Sequence, residues 1–101
     1  MKKTFKLSHE RIKRPRLVDA IKHEVKKYIK RERRRDLPEG SDYWDFDCRY
    51  GIDEANSEVI HITEINKFIS QADSEQLDTF YLEIMAKACQ RGIKSQVEQG
   101  S

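Results

Sequence analysis

A single apolar stripe between residues 17 and 29 constrains the fold of this chain more than any other feature of its sequence. The apolar side chains recur at steps of one, three and four residues, which is the spacing of an amphipathic helix. They are Leu17, Val18, Ile21, Val25, Tyr28 and Ile29. Pro15 suits the first turn of this helix, and Pro38 and Gly40 mark its end. The pattern predicts one helix of about twenty residues whose stripe faces the core.

The exposed face of this predicted helix is strongly basic. Residues 26–35, KKYIKRERRR, contain seven lysines and arginines in ten positions. Two neighbouring rows follow this face, one of Lys22, Lys26, Lys30 and Arg33, and one of His23, Lys27, Arg31 and Arg34. The basic residues of the last turn also suit the negative end of the helix dipole.

Charge divides unevenly along the chain, although the net charge is only +2. Residues 1–35 carry fifteen lysines and arginines against four carboxylates, a net of +11, whereas residues 36–101 carry five against fourteen, a net of −9. Such asymmetry indicates an anionic partner. The alternative is that the acidic half neutralises the basic half within one fold.

Three segments have the patterns of strands. Residues 3–7, KTFKL, alternate polar and apolar, and residues 42–51, DYWDFDCRYG, alternate more clearly. The apolar face of the second segment consists of Trp44, Phe46, Cys48 and Tyr50. Residues 58–62, EVIHI, follow a turn of hairpin length, so we expect antiparallel pairing with the second segment.

Two more helices are expected after the hairpin. Residues 63–72 place Ile65, Phe68 and Ile69 at helical spacing with Thr63 as candidate N-cap, but residues 64–69 could instead extend the strand. Residues 74–90 are predicted as a second strongly periodic helix, preceded by a capping box of Asp73 and Gln76. Its apolar positions are Leu77, Phe80, Tyr81, Ile84, Met85 and Ala88.

The order of elements is therefore predicted to be β-α-β-β-α-α. An antiparallel sheet of about three strands, packed on one side against two or three helices, is the economical α+β solution for so small a core. Residues 1–90 are expected to form this single domain, and residues 91–101, with little apolar content, a disordered tail.

The basic helix predicts binding of RNA or DNA through phosphate contacts. The residues expected to donate to the backbone are Lys22, Lys26, Lys27, Lys30, Arg31, Arg33, Arg34 and Arg35. No zinc finger or aromatic RNA-recognition motif is present, so we expect no reading of bases. The competing hypotheses are a solvated helix face, and a protein-interaction module that binds an acidic protein or a second copy of the chain.

Catalysis has weaker support in the sequence. Asp45 and Asp47 point the same way on their strand. Together with Glu58, Glu64 or His61 they could hold a divalent cation, or supply an acid and a base, and a small hydrolase would use Asp45, Asp47 and His61. A nucleophilic pair of Cys48 and His61 would need an exposed thiol, whereas Cys48 shares its face with aromatic residues. We therefore expect a non-enzymatic protein with no metal or other cofactor.

No apolar segment reaches the roughly 18 residues that span a bilayer, and none follows the cationic N-terminus. Without an export signal, the two cysteines are expected to be reduced thiols. These features predict a cytoplasmic location.

Over residues 3–87 the chain resembles a family of small uncharacterised bacterial single-domain proteins. The segments that carry the resemblance are RLVDAIKHEVKKYIKRERR, LPEGSDYWDFDC, EVIHITEINKFI and FYLEIMAK. The resemblance implies a bacterial cytoplasmic protein with no assigned activity, no catalytic residues and no known cofactor.

Overall fold

The computed structural model describes residues 1–91 and has an antiparallel sheet with helices on one face. The elements are β1 (Lys2–Lys6), α1 (Arg14–Arg33), β2 (Tyr43–Gly51), β3 (Glu58–Ile60), α2 (Ile65–Ser74) and β4 (Thr79–Cys89), with one 3₁₀ turn (Ile62–Glu64) directly before α2. The sheet has the order β1-β4-β2-β3, and all of its pairs are antiparallel. The predicted α+β class is confirmed. Apart from Arg91, the predicted tail lies outside the described residues.

The core lies between the helices and one face of the sheet. On β2, Phe46 and Cys48 are buried and stand opposite Ala86 and Ile84 of β4, so these four side chains share a face. The helices cover this face with Val18, Ile21 and Val25 of α1 and with Ile65, Ile69 and Ala72 of α2. The predicted alternation of β2 is confirmed, and its pairing with β3 is antiparallel as expected.

Helix α1 matches its prediction closely, because a stripe of this length has only one regular structure that can bury it. It spans 20 residues, has Pro15 in its first turn, and buries Val18, Ile21 and Val25. Arg34 ends it: the backbone N–H of Arg34 donates to the carbonyl oxygen of Arg31 at 3.2 Å, and that of Arg35 donates to the carbonyl oxygen of Glu32 at 3.3 Å.

The segment that could be helix or strand is helical, because a capping box begins the 3₁₀ turn. The Nδ1 atom of His61 accepts a hydrogen bond from the backbone N–H of Thr63 at 3.2 Å, and Glu64 accepts one from the N–H of His61 at 3.0 Å. These side chains satisfy backbone donors that the start of a helix leaves unpaired. His61, and not the predicted Thr63, is therefore the capping residue, and β3 ends at Ile60.

The prediction of a helix over residues 74–90 is wrong, because this segment forms β4, the longest strand of the sheet. Phe80, Ile84 and Ala88 recur every four residues, a spacing that also fits a strand because four is a multiple of two. In the sheet, β4 lies between β1 and β2. Tyr81, on the opposite face from Phe80, is also buried, so the segment lacks the simple alternation of a strand with one exposed face.

The predicted capping box of Asp73 and Gln76 is also wrong, because these residues end α2 instead of starting a helix. Gln76 has a positive φ of 59°. Its N–H donates to the carbonyl of Asp73, and the N–H of Leu77 donates to the carbonyl of Ala72. This pair of bonds is a Schellman motif, which terminates a helix.

Candidate nucleic-acid interface

Of the eight predicted contact residues, seven are exposed and Lys22 is half-buried, because the opposite side of α1 is the side that packs into the core. Helix α2 packs along one flank of α1, where the Nζ atom of Lys22 donates to the hydroxyl oxygen of Ser70 at 2.7 Å. Strand β1 lies along the other flank, where Lys3 pairs with Glu24 at 2.7 Å. The two flanks of α1 therefore have different neighbours.

The first row borders a groove between α1 and the beginning of α2. The groove has a volume of about 820 Å³. Its α1 wall includes Lys22, Lys26, Lys30, Arg33 and Arg34, and the segment around the beginning of α2 contributes Ile62, Thr63, Ile65 and Asn66 to its floor and opposite wall. Five of the eight predicted contact residues thus lie around one concave surface.

The other flank carries a smaller hollow of about 540 Å³. Lys27 and Arg31 line it together with Met1, Glu24 and Tyr28. The ammonium group of Met1 donates to the phenol oxygen of Tyr28 at 3.0 Å. Burial, followed by the charge of Glu32, raises the pKa of Tyr28 above its usual value. This hollow therefore mixes charges of both signs, unlike the groove.

Three of the predicted arginines lie over aromatic rings. The guanidinium carbon of Arg31 is 5.4 Å from the centre of the Tyr28 ring, and that of Arg33 is 5.4 Å from the Phe46 ring. Arg35, just after α1, lies 5.2 Å from the Trp44 ring. Such contacts attract a cation electrostatically and restrict its position.

Few of these charges are neutralised within the described part of the chain. The ion pairs among residues 1–91 are Lys3–Glu24, Arg14–Asp73, Arg35–Glu32 and Lys87–Asp47. Arg35 alone of the eight predicted contact residues takes part in one of them. Among residues 1–91, no basic residue of the groove forms an ion pair with a carboxylate of the acidic half, which is the neutralisation that the alternative interpretation requires.

Comparison with known proteins places the chain in a family. The sequence pattern of DUF6172, a family of unknown function, matches residues 1–95. The chain belongs to DUF6172. No curated protein matches it, and no solved structure does. Membership confirms an uncharacterised single-domain family, whereas the bacterial source that the resemblance implied stays a prediction.

Asp45 and Asp47, the carboxylates considered for a hydrolase, lie on the face of the sheet opposite to the one that the helices cover. Asp47 pairs with Lys87 at 2.9 Å, and this bond raises the pKa of Lys87. Asp45 accepts a hydrogen bond from the backbone N–H of Phe46 at 2.9 Å. The Nδ1 atom of His61 lies 2.8 Å from the hydroxyl of Thr63. Within residues 1–91, no group of three or more His, Cys, Asp or Glu side chains could hold a metal ion.

The thiol of Cys48, which was considered as a nucleophile, is inaccessible to solvent. Cys48 is 1% exposed, and burial, with smaller effects from Asp47 and Asp45, raises the pKa of its thiol to about 11. Its cross-strand neighbour on β3 is Ile60 and not His61. The pairing that nucleophilic activation requires is therefore not formed.

Sequence reasoning missed the uncharged side of the groove in this DUF6172 domain. Thr63 and Asn66 are exposed there, and the half-buried Ile29 and Ile62 form part of its apolar floor. No motif distinguishes these residues, since only the packing of α2 beside α1 brings them opposite the basic row.

Neither helix of residues 1–91 has the length and apolar composition that crossing a membrane requires.

Proposed function

We propose that this DUF6172 protein is a non-enzymatic module that binds RNA or DNA by contacting the phosphate backbone with the basic face of α1. The observation that supports the proposal is a row of cations without internal compensation: only Arg35 of the eight predicted contact residues is ion-paired within residues 1–91. Cations of this kind gain affinity for a polyanion because binding releases condensed counterions.

The lysines and arginines have different tasks in this proposal. Lys26 and Lys30 are exposed point charges that can follow a phosphate chain. Arg33, positioned over the ring of Phe46, loses less freedom when its guanidinium fork meets a phosphate. None of them is assigned to a base. A cytoplasmic location and a bacterial source belong to the same proposal.

Fluorescence anisotropy with labelled mixed-sequence RNA and DNA tests this function. We expect affinity to fall linearly on a logarithmic scale as salt rises from about 50 to 200 mM. The double variant Lys26→Glu/Lys30→Glu should bind at least about tenfold more weakly at low salt. It should also lose about 1.4 from the salt slope on a single strand, because each phosphate contact contributes about 0.7.

The matched control is Lys2→Glu/Lys6→Glu, which changes the net charge equally. Both lysines are exposed on β1 and face the side of the sheet that the helices leave uncovered. This control should keep most of the wild-type affinity and slope. Absence of binding by the wild-type protein at low salt, or equal losses in the two double variants, would refute binding through α1.

A further inference from the structure

The groove between α1 and α2 has walls of opposite character. On the α1 side, cations continue from Lys22 to Arg33, a distance of about 16 Å at the usual helical rise. On the α2 side, the exposed Thr63 and Asn66 offer a hydroxyl and an amide without charge. One wall thus attracts anions, and the other can only donate and accept neutral hydrogen bonds.

The bottom of the groove is apolar. Val25 and Ile65 are buried beneath it, and the partly exposed Ile29 and Ile62 lie between the two walls. An apolar floor adds nothing to the binding of inorganic phosphate or of a bare phosphate backbone. It gains free energy only when a ligand brings an apolar surface into the groove next to its charged edge.

We propose that this groove binds a single strand of RNA or DNA, with phosphates along α1 and bases over the isoleucine floor toward Thr63 and Asn66. The inference rests on the proposed function and adds the form of nucleic acid that is recognised. A single strand has phosphates along one edge and base faces along the other, and the two walls and the floor match that division.

A duplex fits the same groove less well. Its base faces are stacked inside, and both of its outer edges carry phosphates, so one backbone would meet the neutral wall. The floor residues are aliphatic, and they contact base faces without the ring stacking that aromatic platforms provide. The sequence preference should therefore be weak.

The test compares one short mixed-sequence strand with its own duplex by anisotropy at low salt. We expect the single strand to bind at least about fivefold more tightly. Ile62→Gln should weaken binding of the single strand about fivefold and leave the salt slope unchanged, because no phosphate contact is lost. Ile52→Gln is the matched control, since Ile52 is 64% exposed in the β2–β3 loop, away from the groove, and should have no effect.

A second variant protects the test against a folding defect. Asn66→Ala changes an exposed side chain of the neutral wall, and it should weaken binding of the single strand about threefold with unchanged thermal unfolding. The inference is overturned if the duplex binds as tightly as the strand, or if Ile62→Gln and Asn66→Ala both bind like Ile52→Gln. If the inference is overturned in this way but nucleic-acid binding is still weakened by salt, the proposed binding of RNA or DNA through α1 is not refuted.

Two further outcomes are distinct. If neither strand nor duplex binds at low salt, the proposed function fails together with this inference. A peptide of alternating glutamate and leucine serves as the competing probe. If this peptide binds the wild-type protein more tightly than the single strand does, and Ile62→Gln weakens it, the groove is a site for an acidic protein and the inference is refuted.

Discussion

Replacing Arg14 should destabilise the fold although this arginine contributes only one positive charge to a very basic region. Its Nε atom donates to Asp73 at 2.6 Å, and its other nitrogens donate to the carbonyls of Leu77 at 2.6 Å and Leu7 at 3.3 Å. These bonds join the chain after β1, the end of α2 and the approach to β4. A hydrogen bond to a charged group contributes about 1.5–3 kcal/mol when it is protected from water.

Solvent reduces that value here, because the side chains of Arg14 and Asp73 are 23% and 37% exposed. Taking about 1 kcal/mol for each short bond and less for the long one, Arg14→Ala should cost about 2–3 kcal/mol. Arg14→Lys keeps the charge but cannot reproduce the fork, so we expect about 1–2 kcal/mol. Urea unfolding followed by circular dichroism measures both losses, which correspond to midpoint shifts of about 0.5–1.5 M.

The control is Arg16→Ala, which removes an exposed arginine of the same helix with no ion pair among residues 1–91. It should change the free energy of unfolding by less than about 0.5 kcal/mol. If Arg14→Ala lies within about 0.5 kcal/mol of this control, the three bonds do not stabilise the fold as argued. Neither Arg14 nor Arg16 lies in the groove, so the two variants should bind nucleic acid with similar affinity.

Four other outcomes are expected. Gln76→Gly should raise the free energy of unfolding by about 0.5–1 kcal/mol, because glycine adopts the positive φ of 59° without steric cost; a lower urea midpoint would contradict this. Ile84→Ala should cost about 2–4 kcal/mol and Met85→Ala less than about 1, since Ile84 is 0% and Met85 43% exposed; equal urea-midpoint losses would contradict the facing of β4. Cys48, whose thiol pKa is raised by burial to about 11, should stay unlabelled by a thiol reagent at neutral pH until urea unfolds the protein, as mass spectrometry would show. Its contribution to stability is present below pH 9.0, its usual pKa, and should be lost as the pH rises toward 11 because the unfolded thiol ionises first; urea midpoints that do not fall over this range would contradict it.

The fold prediction was correct where the spacing of apolar residues fits only a helix or only a strand, and wrong where it fits both. The stripe of α1 has steps that only a helix can bury, and the alternation of β2 has steps that only a strand can bury. In β4, the four-residue recurrence of Phe80, Ile84 and Ala88 satisfies both periods. Glu83, Met85 and Lys87 also favour helices locally, but a place between two strands of the sheet overrides that preference.

The candidate site divides in the same way. The sequence identifies the basic residues, because a lysine or arginine opposite an apolar stripe must face solvent. It places Lys26 and Lys27 in neighbouring rows but does not predict that Lys26 lies in the groove and Lys27 in the mixed hollow beside β1. Arg14, counted among the basic residues of the first half, is bound to Asp73 instead.

By itself, then, the sequence determines the α+β class, the span of α1 and the cationic character of its outer face, since these depend on short-range periodicity and on charge. Only the tertiary structure decides the position of β4 and the groove opposite the basic row. Ile62, Thr63 and Asn66 come to that groove from 28 to 44 positions beyond the basic residues of its α1 wall. Contacts over such a separation depend on how the helices pack on the sheet, which no local pattern encodes.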